Sequence, residues 1–368
     1  MPEIFALADS LGPRKVLHIH EPSVSLRAIV VVDNTACGPA VGGVRMAPDI
    51  GLEECSRLAR AMTMKNAAAG LPHGGGKSVI IGDPKMAAAE KEKLIRAFAG
   101  AIRDLADYIP GPDMGTDERC MAWVKDEIGR VAGLPRELGG IPLDEVGATG
   151  YGIMIAATVV EAQGDVTLKG ARIAIQGFGA VGKHAARFLA EKGALLVAAS
   201  DSQGTVLDPQ GLDVARLIAW KQEGRSLRDY PDGGKASPDA VIDADCDIWI
   251  PAARPDVIHK GNADRLKARL VLQGANIPFT AEAEASLHLR GVVIVPDFIA
   301  NAGGVICAAV EIRGGTAADA FRSIEDKIRS NTAEVLAAAR QGAILPRQAA
   351  VAMAERRVRA AMSYRRWR

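Results

Sequence analysis

Aromatic side chains are scarce in this chain, at 4% of residues, and neither sign of charge dominates, with 45 Lys and Arg against 44 Asp and Glu. Without aromatic platforms or a basic field, a surface built to stack bases or follow a phosphate backbone is not expected. Cysteine is sparse too. Cys37, Cys55, Cys120, Cys246 and Cys307 are odd in number, widely scattered and include no CxxC pair, which argues against a disulfide framework or a thiolate zinc site. The six histidines show no ligand spacing, so no metal is expected. The first residues carry charge and no apolar run is long enough to span a bilayer. Neither a signal peptide nor a membrane span is expected, and the chain reads as a soluble cytoplasmic protein. A short basic tail, Arg365, Arg366 and Arg368 around Trp367, reads as a solvated helix end.

What is present is 368 residues, 48% of them hydrophobic and 24% charged, enough for two domains with a core each. Strands are expected at 16–20 and 27–32, followed by a glycine-rich stretch at 38–43. Helices are expected at 52–66, with Leu58, Met62 and Lys65 on one stripe, at 85–108, with Leu94, Phe98, Ile102, Leu105 and Ile109 at helical spacing, and at 117–132. The Gly- and Pro-rich stretch 133–147 reads as a domain boundary. Beyond it, short apolar runs at 172–176, 195–200, 248–250, 270–272 and 292–295 alternate with helical stretches, and the chain is mostly helical after 301. That alternation implies a parallel sheet covered on both faces. The expected architecture is α/β with two domains separated by a cleft: 1–146, completed by C-terminal helices at about 335–368, and 147–334 of Rossmann type.

The Rossmann reading rests on one turn. Arg172-Ile173-Ala174-Ile175-Gln176 leads into Gly177-Phe178-Gly179-Ala180-Val181-Gly182, a GxGxxG that follows a strand and opens a helix. The first glycine permits the tight turn, the second lets backbone approach a pyrophosphate, and the third lets helix pack on strand. Asp201 ends the next strand, where a carboxylate can take a ribose 2′-hydroxyl. It also suits the start of the turn Ser202-Gln203-Gly204. As its charge would repel a 2′-phosphate and no Arg or Lys follows closely, NAD is expected rather than NADP.

Two lysines in the first domain are oddly placed. Lys65 shares an apolar helical stripe, and Lys77 follows Gly74-Gly75-Gly76, where three missing side chains would let a ligand and backbone come close to an ammonium. Snorkelling and a solvated turn are the ordinary readings of such lysines. Asp113, in Gly111-Pro112-Asp113-Met114-Gly115-Thr116-Asp117, would ordinarily be a turn residue, with Asp117 the better helix cap.

These residues fall into a pattern. Leu71-x-x-Gly74-Gly75-Gly76-Lys77-x-Val79-x-x-x-Asp83-Pro84 resembles the signature of the glutamate/leucine/phenylalanine/valine dehydrogenase family, and the likeness covers nearly the whole chain. Gly38 to Met46 and Lys65 to Leu71 resemble the leucine branch. Ser200-Asp201-Ser202, Gly274-Ala275-Asn276 and Pro296 to Gly304 are closer to glutamate dehydrogenases. The resemblance implies a homo-oligomeric oxidoreductase whose first domain binds substrate and builds the oligomer, and which converts an L-amino acid reversibly to a 2-oxo acid and ammonia. By the same resemblance Lys65 binds the substrate α-carboxylate, Lys77 is the catalytic lysine and Asp113 the acid/base, and Gly42 and Gly43 line the substrate cleft. Thr149 lies near the nicotinamide carboxamide, and Asn276 and Asn301 lie around its ribose and the reacting substrate.

The chemistry is consistent with those roles. An ammonium anchors a carboxylate by a charge-assisted hydrogen bond. A second lysine in a dry cleft is disfavoured in its charged form by its neighbour and by desolvation, which suits proton exchange near neutral pH. For the side chain, similar glutamate dehydrogenases carry lysine where Val41 stands and serine where Ala308 stands. Val41 and Ala308 would leave a γ-carboxylate buried without a partner, at about several kcal/mol. An aliphatic or aromatic substrate is therefore expected, with glutamate the alternative. Hydroxy-acid or malic-type dehydrogenases do not need the Lys65/Lys77 pair, and a non-catalytic NAD-binding protein would not need Lys77 and Asp113.

Overall fold

The computed structural model describes residues 5–366, so Trp367 and Arg368 of the basic tail lie outside it. The chain forms two compact units, one of Met1–Pro142, Val305–Ala320 and Val351–Arg368, the other of Leu143–Gly304 and Phe321–Ala350. The C-terminal stretch expected to complete the first domain is thus divided. Residues 335–350 belong to the second unit, and the first recruits 305–320 instead.

In the first unit the elements run β1 (Lys15–Glu21), β2 (Leu26–Asn34), β3 (Ala40–Ala47), α1 (Leu52–Ala68), β4 (Gly74–Ile81), α2 (Ala88–Ala101), β5 (Tyr108–Pro112) and α3 (Glu118–Ile128). Among the described residues the strands form a sheet in the order β1-β2-β4-β3-β5. β1, β2 and β4 pair antiparallel, and β3 lies parallel to β4 and β5. Alternation along β2 sends Val30 and Val32 to a core with Phe98 and Ile95 of α2 and Met121 of α3. Ile29 and Val31 go instead to a smaller core with Cys55 and Ala59 of α1. Burying a side chain such as Phe98 contributes about 2–3 kcal/mol.

The expected helix 85–108 stops at Ala101, and Ile109 lies in β5. Arg130 accounts for the stop: its guanidinium donates to the carbonyls of Ile102, Leu105 and Tyr108 at 2.6, 3.0 and 3.0 Å, satisfying acceptors that a continuing helix would use itself. Glycines 74–76 belong to β4 rather than to a loop, and most of the 38–43 stretch belongs to β3.

The second unit begins with α4 (Leu143–Val146) and α5 (Ala148–Ala162), followed by β6 (Arg172–Gln176), α6 (Ala180–Ala190), β7 (Leu195–Ser200), β8 (Thr205–Leu207), α7 (Val214–Gln222) and β9 (Gly234–Ala236). It continues through β10 (Ile248–Pro251), β11 (Leu270–Leu272), α8 (Ala281–Leu289), β12 (Val293–Val295) and α9 (Asp297–Ala300). The remaining helices are α10 (Gly303–Ile312), α11 (Ala317–Gly342) and α12 (Pro346–Ser363). Its sheet has the order β12-β11-β10-β6-β7-β8-β9. The run from β12 to β7 is parallel, as the alternation required, and β8 and β9 extend it antiparallel. No described helix is long and apolar enough to cross a membrane.

Candidate active site

In the first unit, β3, β4 and β5 bring three charged side chains together. Lys77 on β4, with a side chain 5% exposed, forms an ion pair with Asp113, which follows the end of β5. Arg45 of β3 donates through Nε to the other Asp113 oxygen at 2.8 Å and reaches Glu54 at 2.8 Å. The same oxygen accepts the Met114 N–H at 2.6 Å, while Thr116 Oγ1 accepts the Asp113 N–H at 3.0 Å and donates to the Val44 carbonyl at 2.7 Å. The carboxylate is therefore fixed from several sides. Burial pushes the Lys77 ammonium below the ordinary lysine range, outweighing the Asp113 charge that favours it, and Arg45 adds to the fall. Burial raises Asp113, but Lys77 and Arg45 outweigh it and hold the carboxyl below its usual range.

Two glycines make this arrangement possible. A Cβ on Gly43 would lie 2.7 Å from Asp113 Cβ, so the bare backbone gives the carboxylate its place. A Cβ on Gly75 would lie 2.0 Å from the Thr63 nitrogen of α1. The room expected around Lys77 for a ligand is thus filled at Gly75 by the protein's own helix. Val41, Gly43 and Arg45 are half-buried on β3 and alternate with buried Gly42 and Val44. Gly42 accordingly belongs to the opposite face from Gly43, and its carbonyl accepts the Tyr108 hydroxyl at 2.9 Å. Lys65 lies half-buried in the last turn of α1, and Ala308 is half-buried on α10 between buried Cys307 and Ala309.

The second unit carries the dinucleotide turn. Gly177 has φ +91°, and the N–H groups of Gly177 and Phe178 donate to the Ser200 carbonyl at 2.9 and 2.8 Å. A Cβ on Gly182 would lie 2.1 Å from the Gly177 carbonyl oxygen, whereas one on Gly179 would meet no atom within 4 Å. Gly179 caps α6 without a side-chain hydrogen bond, so Ala180 and Val181 begin a helix whose N-terminal amides are open to an anion. These residues fit a dinucleotide. Asn301 donates to Asn276 Oδ1 at 2.9 Å and to the Gly274 carbonyl at 3.3 Å. A Cβ on Gly304 would meet Thr149 Oγ1 at 3.2 Å, which places Thr149 beside the chain that follows Asn301.

Asp201 takes the turn role that its sequence also suited. One of its oxygens accepts the N–H groups of Gln203 and Gly204 at 2.9 and 3.2 Å, and the other accepts Lys221 Nζ at 2.7 Å and the Leu227 N–H at 2.8 Å. Four bonds use the acceptor capacity of a carboxylate. Asp201 therefore closes its turn, and Lys221 neutralises the charge that was expected to repel a 2′-phosphate. Sequence reasoning missed Lys221 because it lies 20 residues further on, on α7. It also missed Arg45, although strand alternation from Gly43 would have placed it on the same face.

Comparison with known proteins identifies the family. Residues 139–366 match the family model for glutamate/leucine/phenylalanine/valine dehydrogenase, and residues 15–130 match that for the Glu/Leu/Phe/Val dehydrogenase dimerisation domain. The chain is 40% identical over 322 residues to a glutamate dehydrogenase of Aeropyrum pernix, covering 82% of this chain and 77% of that one. It is 40% identical to an NADP-specific glutamate dehydrogenase of Saccharolobus shibatae over 291 residues, 76% of this chain and 69% of the other. Among solved structures, the hetero-hexameric glutamate dehydrogenase of Thermus thermophilus in a leucine-bound form superposes with TM-score 0.84 at 30% identity, over 95% of this chain and 89% of that one. The L-tryptophan dehydrogenase of Nostoc punctiforme superposes with TM-score 0.77 at 25% identity, over 98% and 99%.

Proposed function

Since the chain belongs to the glutamate/leucine/phenylalanine/valine dehydrogenase family and is an amino-acid dehydrogenase, we propose that Lys77 and Asp113 carry its proton transfers. The observation behind this is their buried ion pair, which places a lysine of lowered proton affinity against a fixed carboxylate. Lys65 anchors the substrate α-carboxylate. A bound nicotinamide dinucleotide would supply the acceptor for the hydride that leaves the substrate Cα. Neutral Lys77 then assists the attack of water on the substrate imine carbon, and Asp113 carries protons to and from the nitrogen as ammonia leaves. Gly177 to Gly182 would hold the pyrophosphate of a bound dinucleotide, Thr149 would lie near its carboxamide, and Asn276 and Asn301 would lie around its nicotinamide ribose.

The substrate side chain has two readings. The curated relatives named above favour glutamate over the apolar substrate expected from the sequence. Val41 and Ala308 favour an apolar side chain, because neither supplies a partner for a γ-carboxylate, and a tryptophan dehydrogenase is among the structural neighbours. Dinucleotide reduction is to be followed with each standard amino acid in the wild type, Lys77→Ala and the pair Val41→Lys with Ala308→Ser. Loss of turnover in Lys77→Ala with dinucleotide binding intact is expected; wild-type turnover there would remove Lys77 from the mechanism. On the apolar reading the wild type prefers a large apolar amino acid, and the paired substitutions move preference toward glutamate. Efficient glutamate turnover by the wild type establishes the other reading.

For the cofactor, the saturation of Asp201 by its own turn and by Lys221 supports use of both NAD and NADP rather than NAD alone. The family's dimerisation domain supports a homo-oligomer, and the hetero-hexameric neighbour supports assembly into an oligomer.

A further inference from the structure

Ile277 is a β-branched residue at φ +47°, and it is 53% exposed. A branched residue in the left-handed region costs about 1–3 kcal/mol and persists only where its surroundings impose it. The constraint can be read directly. The Ile277 N–H donates to Asp297 Oδ2 at 2.8 Å, while the other Asp297 oxygen lies 2.8 Å from the Arg347 guanidinium. Arg347, in the first turn of α12, also donates to Glu284 Oε2 at 2.6 Å and to Gln273 Oε1 at 2.7 Å. The Gln273 oxygen further accepts the Asp297 N–H at 3.0 Å, and the Asp297 carbonyl accepts the Asn301 N–H at 2.7 Å. One guanidinium thus ties together β11's exit, the start of α9 and α8. Glu284 and Asp297 have side chains only 2% and 6% exposed, so without Arg347 they would be buried carboxylates with no cation among these partners.

We propose that Arg347 is a positioning residue for the dinucleotide: through Asp297 it holds Ile277 in its strained turn, and so fixes Asn276, which precedes Ile277, against Asn301. The inference rests on the assignment of Asn276 and Asn301 to the nicotinamide ribose. Its chemistry is that of a planar fork with donors in fixed directions, for which lysine is a partial substitute only. The strained turn is held ready before binding, so the dinucleotide does not have to order it.

The test uses the full-length enzyme and NADH as probe, with binding read by nucleotide fluorescence, together with KM for dinucleotide and amino acid, kcat and melting temperature. Arg347→Met is expected to weaken NADH binding and raise the dinucleotide KM about tenfold or more, with the amino-acid KM little changed. Arg347→Lys should fall between the two. Pairing Arg347→Met with Glu284→Gln removes a stranded buried charge, and should recover melting temperature without recovering NADH affinity. Unchanged NADH binding in Arg347→Met, or recovery of affinity together with stability in the paired variant, overturns the proposal. Where Arg347→Met fails to fold, the paired variant and Arg347→Lys carry the same comparison. Asn276→Ala separates the two assumptions. Wild-type NADH affinity there defeats the ribose assignment itself, whereas weakened affinity there beside an unaffected Arg347→Met defeats only the positioning role.

Discussion

Lys77 is the residue at which burial and charge compete most directly. Its neutral form is the one that takes a proton, and burial lowers its proton affinity while Asp113 opposes the fall. The rising limb of the pH profile of kcat/KM for the amino acid should therefore lie below the ordinary lysine pKa of about 10.4. Arg45 contributes to that depression as a like charge, so Arg45→Gln should move the limb to higher pH. A limb that stays in place, or moves down, would show that another group titrates in that range. Lys221 bears on the cofactor in the same way. In Lys221→Ala the Asp201 carboxylate loses its cation at 2.7 Å, and the ratio of NADP to NAD efficiency should drop severalfold, by about 1 kcal/mol of unscreened repulsion. An unchanged ratio would place the 2′-position of the ribose away from Asp201.

Among elements, the ones announced by local pattern were legible and the ones made by long-range pairing were not. The order β6, glycine turn, α6, β7 was readable because strand, turn glycines and helix follow one another within about 30 residues, and each glycine has its own steric reason. β3 and β5 were not readable as strands. Gly42, Gly43, Pro110, Gly111 and Pro112 have little strand propensity, and β3 and β5 exist because they pair with each other and β3 with β4. Lys77 and Asp113 were legible through resemblance, whereas their contact depends on that pairing. The loop after α3 shows the same dependence on distant residues. Glu311 of α10 is 8% exposed, and its carboxylate accepts the N–H groups of Gly133, Leu134 and Ile141 at 2.7, 3.0 and 2.8 Å. Hydrogen bonds to a charged acceptor are worth about 1.5–3 kcal/mol. Glu311→Gln, which loses the charge and one acceptor, should speed amide hydrogen exchange at those positions about tenfold or more. Unaltered protection would mean the loop holds its shape without the carboxylate.

For the whole molecule, the notable property is that neither unit is a continuous stretch of chain. Residues 143–304 need 321–350: Phe321 packs edge-on against Tyr151 with ring centroids 4.7 Å apart, Ile328 fills the space a Cβ on Gly152 would take, and Arg347 satisfies Glu284 and Asp297. A fragment of residues 143–304 should therefore lack a cooperative thermal transition, and one of residues 143–350 should show it, as followed by circular dichroism. A cooperative melt of the shorter fragment would mean that the returning segment is an accessory to this unit.

The same discontinuity orders events at the ribosome. A domain made of one leading stretch folds as soon as it has emerged, so N-terminal domains usually fold first during synthesis. Here the unit that is translated first also takes residues from 351 onward, while the other unit has all its parts by residue 350. The second unit to be translated is thus the first able to finish. Meanwhile the earlier sheet waits with apolar strands β2 and β4 already synthesised and part of its packing still to come. That interval is when the nascent chain presents most apolar surface, and when a chaperone would gain most by holding it.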